Sequence, residues 1–525
     1  MNHNDDIRFT ELNIEIINNA LATDFSSMMD ALWQVMITGD AHWADEHAER
    51  EQTYLNRLTT PLLTEYVIQG LHSAASDEII HRQLTILNRE MREYGNDPIL
   101  EQQILELWNR LHYRISTFRA PIDGASLSNR QISTLLNTQR DSAYRKRIWE
   151  AGMRLGEEIA PGLLELVNLR NQVARAQGFD NYFLMKLELQ GIAMEELDES
   201  IVKLREGLDP SYRQLKDELD ANVAKKLTIS SSKIEAWHYQ ALMLQRYPAR
   251  QSACNWDINK IITGIVNWLR PSCDGIDQLI SKADLLGRVG KSQANCCLNV
   301  DRKKDIRLMC NLSGDTEGLR LLLHELGHAF YECGLDESLP FILRQPAHPF
   351  LSEAVALLFE RMSVETEWLK EIGVVSPDLV DDSLQKAELR RNLLMKLYAT
   401  IAIVEFEKEL YHNPTSHLND TWWYILENVQ RIRRPDNWDY PYWAANAHLT
   451  TLPVYYYNYL WGEAAASQLQ HSLQDQFQSE FSKCSLDWLR NRLAKPGSLR
   501  DWAALLNEVS GTPLNMRYLI EDLKV

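Results

Sequence analysis

Two histidines and a glutamate share one short run, His324-Glu325-Leu326-Gly327-His328. Residues four apart on a helix differ by about 40° around its axis, so both imidazoles project from one face. Such a pair suits a borderline-soft dication, zinc above all, and a site that does chemistry adds one more protein ligand and keeps a position for water. Glu325 stands between the two. Its carboxylate can reach water on the ion, whose pKa falls to about 7. It would take that proton as general base and hand it to a leaving amine.

The third ligand should come from a following helix. Pro349-Phe-Leu-Ser-Glu-Ala-Val-Ala-Leu-Leu-Phe-Glu360 offers Glu353, 25 positions after His328. Glu360, seven residues on, shares its face and could orient a ligand imidazole. His348 is a rival ligand, set among Pro346 and Pro349 in what reads as a loop. HExxH runs also arise by chance. Here Leu321 to Leu323 and Ala329-Phe330 make the helix otherwise apolar, and two histidines and a glutamate buried there are costly unless something pairs them.

Hydrolysis of an amide also needs donors aimed at the oxyanion. His448 is followed by Pro453 and four tyrosines, Tyr455, Tyr456, Tyr457 and Tyr459. Tyr456 and Tyr459 share a helix face, as do Tyr455 and Tyr459. Their phenols could bind an oxyanion or a substrate carboxylate; an aromatic-rich helix can equally be core, and the residues alone leave that open.

The elements that must hold these groups are nearly all helices. Ile80, Leu84, Leu87 and Met91 recur at helical spacing, as do Ile104, Trp108, Leu111 and Ile115. Arg119 to Gly124 is a break with turn chemistry at Pro121 and Gly124, after which Ser128 and Gln131 match a capping box. Gly178 can close the charged helix that starts near Arg140. Residues 285 to 312 differ. Ala294 to Val300 and Ile306 to Leu312, joined by the charged turn Asp301 to Asp305, read as a small antiparallel ribbon, and Ser313-Gly-Asp-Thr offers N-caps for the helix that follows. The expected fold class is all-α with that ribbon before the HExxH helix, divided into a mainly helical part, 1–284, and a zinc-binding catalytic part, 285–525. No internal repeat or low-complexity segment is evident.

Charge and composition bound the partners. A net charge of -18 over 525 residues argues against nucleic acid. No run approaches the ~18 apolar residues of a membrane span, and the first residues lack the pattern of a secretory signal, so a cytoplasmic protein without membrane contact is expected. Seven cysteines, at 254, 273, 296, 297, 310, 333 and 484, form no CxxC pair and read as reduced thiols.

His-Glu-Leu-Gly-His-Ala, then Glu353 and Glu360, then His448 followed by Tyr456-Tyr457-Asn458-Tyr459-Leu460-Trp461, together resemble the helical gluzincin peptidases: thimet oligopeptidase and oligopeptidase F, with the angiotensin-converting-enzyme group as relatives. Arg145-Lys-Arg-Ile-Trp-Glu-Ala and Leu169-Arg-Asn-Gln are similar to scaffold segments of that family. The resemblance implies two mainly helical halves around a deep channel, with zinc at its floor and short peptides as substrates. It implies that His448 and Tyr459 stabilise the tetrahedral intermediate and that Tyr456 holds substrate, with Tyr455 and Tyr457 as further contacts. It also implies an edge strand that pairs with an extended substrate, for which Ile306 to Asn311 is the candidate, with Ile306, Leu308 and Cys310 as contacts. The stretch between His448 and Tyr459 is one residue shorter than in thimet oligopeptidase. Leu357 stands where the converting enzymes carry an acid. The expected particle is a monomer or homodimer. Two other readings stay open at this point: a biosynthetic zinc enzyme acting on a non-peptide amide or specialised small molecule, and a non-catalytic helical metal-binding scaffold.

Overall fold

The computed structural model describes residues 13–73, 77–94, 97–239, 257–292, 294–373, 382–436, 438–477 and 481–524; Cys254 lies outside them. Helices dominate, and the only strands among the described residues form two antiparallel pairs. The all-α expectation holds. No described helix is long and apolar enough to cross a membrane.

Two compact units divide the chain. The first comprises the described residues within Met1–Tyr94, Gln251–Lys386 and Trp461–Leu519. Its N-terminal helices, Ile14–Thr38, Ala41–Leu58, Pro61–His72 and Glu78–Tyr94, bury Leu21, Leu58, Val67, Leu84 and Leu87 together with Phe341, Ile342 and Leu343. Glycine at 39 closes the first of these helices in the left-handed region, and Asp40 caps the next. The ribbon pairs Cys296–Asn299 with Ile306–Met309 in the register Cys296 to Met309 through Asn299 to Ile306. It packs on the helix Thr316–Gly334, whose N-cap is Asp315, bonded to the Gly318 amide. That helix in turn lies along Pro349–Arg361.

The second unit comprises the described residues within Gly95–Arg250, Ala387–Leu460 and Ile520–Val525. Its spine is the 35-residue helix Ser142–Ala176. Arg145 on that helix is buried yet satisfied, since its guanidinium donates to the carbonyls of Leu136, Gln139, Trp237, His238 and Tyr239. Trp149 packs against Trp237, Trp438 and Tyr442. The Ser128–Gln131 capping box is present, and Gly178 has a φ of 87° just past the end of the spine helix. At 120–127 the break read from the sequence is a hairpin, Ala120–Ile122 against Ala125–Leu127. Asp123 and Gly124 both have positive φ there, the geometry that a two-residue turn between twisted strands requires.

Candidate metal centre

His324 and His328 lie within the helix Thr316–Gly334, and Glu353 within Pro349–Arg361. The two helices approach closely because residue 327 is glycine. A Cβ there would come within 2.5 Å of the Ala356 Cα and 2.9 Å of the Val355 carbonyl oxygen. On its other side the Glu353 side chain abuts Gly462, where a Cβ would sit 2.9 Å from the Glu353 Cγ. Two glycines thus leave the carboxylate its place between helices.

The three side chains converge, with ligand atoms all within 4.8 Å of one another. His324 Nε2 lies 3.7 Å from Glu353 Oε1, and His328 Nε2 lies 3.5 Å from Glu353 Oε2. Ligands about 2.0–2.1 Å from a tetrahedral zinc are separated by about 3.3 Å, so this triad fits the ion with sub-ångström adjustment. The rings are held from behind. His324 Nδ1 meets Glu360 Oε2 at 3.2 Å, and His328 Nδ1 meets Ser352 Oγ at 2.9 Å. With each Nδ1 donating there, each Nε2 keeps its lone pair for a metal. Glu360 is itself anchored, accepting from Arg320 at 2.9 Å, and Arg320 also binds Glu317.

The electrostatics favour a cation. Burial disfavours charge on His324, but Glu353, the hydrogen bond to Glu360 and the Glu325 charge outweigh it and hold its pKa at about 9. The field that pulls a proton onto this ring is the one a dication would feel. Burial pushes the Glu325 carboxyl above its usual range, with the two histidines opposing and Glu353 and Glu360 reinforcing the shift. That is the direction a general base needs for work near neutrality.

The remaining residues singled out in the sequence fall into separate places. His348 is not among the converging ligands: its Nδ1 accepts from the Phe350 amide at 3.2 Å, making it the N-cap of the helix that carries Glu353. Its ring packs on Phe350 and Trp502, and burial lowers its pKa to about 3. Ile306, Leu308 and Cys310 are buried, and the outer flank of their strand is taken. The Asp284 amide donates to the Leu308 carbonyl at 2.9 Å, and the Cys310 amide donates to the Asp284 carbonyl at 2.8 Å. Lys291 fixes this closure with bonds to Asp284 and to the Leu286 and Cys310 carbonyls. An extended peptide therefore cannot add along Leu308–Cys310, which corrects the expected edge.

In the second unit, His448, Tyr456 and Tyr459 form a cluster. Tyr459 Oη lies 3.4 Å from His448 Nε2, and the His448 ring is 5.0 Å from that of Tyr456. Tyr455 packs on Tyr459 with ring centroids 5.4 Å apart. Tyr457 parts from them: it is fully buried, and its hydroxyl donates to Gln190, which corrects its expected part in substrate binding. Ser352 and Arg320 were not anticipated. Arg320 lies one turn before His324, so helical spacing could have found it, whereas Ser352 adjoins Glu353 and points to a different face from it.

Residues 281–525 match the sequence model of peptidase family M3. Over that stretch the chain is similar to peptidase family M3. Both helices that carry the candidate ligands and the ribbon lie inside the matched residues. The M3 peptidases are zinc-dependent hydrolases of peptide bonds in short peptides, and that is the activity of this chain, with zinc as its cofactor and short peptides as its substrates.

Proposed function

We propose that His324, His328 and Glu353 hold the zinc of this oligopeptidase, with Glu325 as its general base. The observation that carries the reading is the convergence of two Nε2 atoms on both oxygens of one carboxylate, each ring braced at its Nδ1. When bound, zinc supplies Lewis acidity, polarising the scissile carbonyl and acidifying water. Glu325 accepts the proton of the attacking water and passes it to the departing amine. Glu360, backed by Arg320, and Ser352 keep the imidazoles in the ligating tautomer. His448 and Tyr459 donate to the oxyanion, and Tyr456 orients the substrate; their mutual contacts support this reading. The catalytic part runs from 285 to the C-terminus, preceded by a mainly helical part. The protein works in the cytoplasm as a monomer or homodimer and does not bind nucleic acid, in keeping with its net charge and with six described cysteines that are all free.

The test is Glu325→Gln. Cleavage of short fluorogenic peptides should fall by roughly 10²–10⁴-fold while one zinc per chain is retained. Full activity with zinc bound would overturn the assignment of the base.

A further inference from the structure

The segment between His448 and Tyr456 contains no glycine, yet Val454 has a φ of 56°. Left-handed backbone is costly for any residue with a Cβ and more so for a β-branched one. Pro453 before it has its own φ fixed by its ring. Such a conformation persists only where surrounding structure over-determines it. That structure is visible. The Val454 amide donates to Glu407 Oε1 at 2.7 Å, and both residues are buried. Four residues earlier, the Thr450 carbonyl accepts from Arg170 Nη2 at 3.0 Å. Arg170 is steadied in turn by Tyr411, whose hydroxyl lies 3.1 Å from Nη1 and whose carbonyl accepts from Asn171 at 2.9 Å.

Two buried side chains from two different helices, Ser142–Ala176 and Asp382–His412, therefore pin the backbone at both ends of the stretch 450–454. That stretch sets the exit of the short helix Ala447–Thr451, which carries His448, and the start of Tyr456–Phe477, which carries Tyr456 and Tyr459. A shift at Val454 changes the separation of His448 and Tyr459. Resting on the proposed roles of those two residues, we infer that Glu407 and Arg170 are positioning residues, which hold Val454 in its strained conformation and so fix the His448–Tyr459 pair for catalysis. The cost of the arrangement shows at Glu407. Burial pushes its carboxyl up to about 8, against the Val454 hydrogen bond and the charges of Arg170 and Lys186. A group that only filled space there would be cheaper as a hydrocarbon.

The experiment compares Glu407→Gln, which keeps an acceptor for the Val454 amide, with Glu407→Met, which removes it at similar size. Glu407→Met should lower kcat at least tenfold, with KM and zinc content changed less than twofold. Glu407→Gln should stay within twofold of the parent. Adding Val454→Gly to Glu407→Met should recover most of the lost kcat, because glycine adopts positive φ without strain. The His448 ring resonance, followed by selective ¹³C labelling, should move in Glu407→Met and return in the double variant. An unmoved resonance, or equal losses in the Gln and Met variants, overturns the clamp. If the resonance moves as described but His448→Ala and Tyr459→Phe remain fully active, the clamp stands and the catalytic reading of the pair falls instead.

Discussion

Gly327 lies against the backbone of Ala356, so near that a methyl group in place of its hydrogen would stand 2.5 Å from the Ala356 Cα. The obstacle is main chain, which cannot rotate aside as a side chain could. Gly327→Ala should therefore push the two ligand helices apart, costing about 1–3 kcal/mol by denaturant melting. Zinc affinity should fall in the same variant. Parental stability and affinity together would show that the contact is looser than described.

Glu360 and Ser352 hold equivalent atoms of the two histidines, but one is a carboxylate and the other a neutral hydroxyl. Hydrogen bonds to a charged acceptor are roughly twice as strong as neutral ones. Glu360→Gln should weaken zinc binding about 10–100-fold in competition with a chromophoric chelator, and Ser352→Ala should weaken it less. The reverse order would assign the dominant support to His328.

Removing the metal tests the site as a whole. Dialysis against a chelator should abolish peptide cleavage, and stoichiometric zinc should restore it. The melting temperature should rise with zinc, since an ion at a thousandfold excess over its Kd stabilises the fold by about 4 kcal/mol. In Glu353→Ala both responses should be lost.

Glu407 makes a pH prediction. Its carboxyl is held near 8 in the folded protein, against an ordinary value of 4.5. Between those values the unfolded chain ionises there and the native protein does not, so native stability declines as pH rises from about 4.5 to 8 and is level above. Substituting glutamine removes this contribution. The fall in melting temperature between pH 5 and pH 8 should be smaller in Glu407→Gln than in the parent, and identical slopes would refute the raised value.

The sequence made the candidate metal triad legible because its parts are local. Two candidate ligands lie about one turn apart on one helix, and the third stands on an amphipathic segment a short way on. Caps and ribbon were legible for the same reason: Asp315 and Ser128 act within three residues of themselves. What sequence spacing could not show are pairings set by the tertiary fold. Asp284 closes the flank of the strand at Leu308 from 24 positions away, and Glu407 reaches Val454 from 47. His348 looked like a ligand because a histidine accepts from a backbone amide as readily as it binds a metal, and only the fold decides which it meets. The hairpin at 120–127 was hidden by strands of three residues, too short to display alternation, although Asp123-Gly124 carried the turn signal.

The closure at Asp284 has a consequence for life among unfolded chains. A strand pair open on both sides is a seed, since each segment that docks presents a fresh side to the next and growth proceeds in two directions. Here one flank, at Leu308–Cys310, is filled before any segment arrives. With that flank filled, Leu308–Cys310 offers no template on which exposed strands could stack.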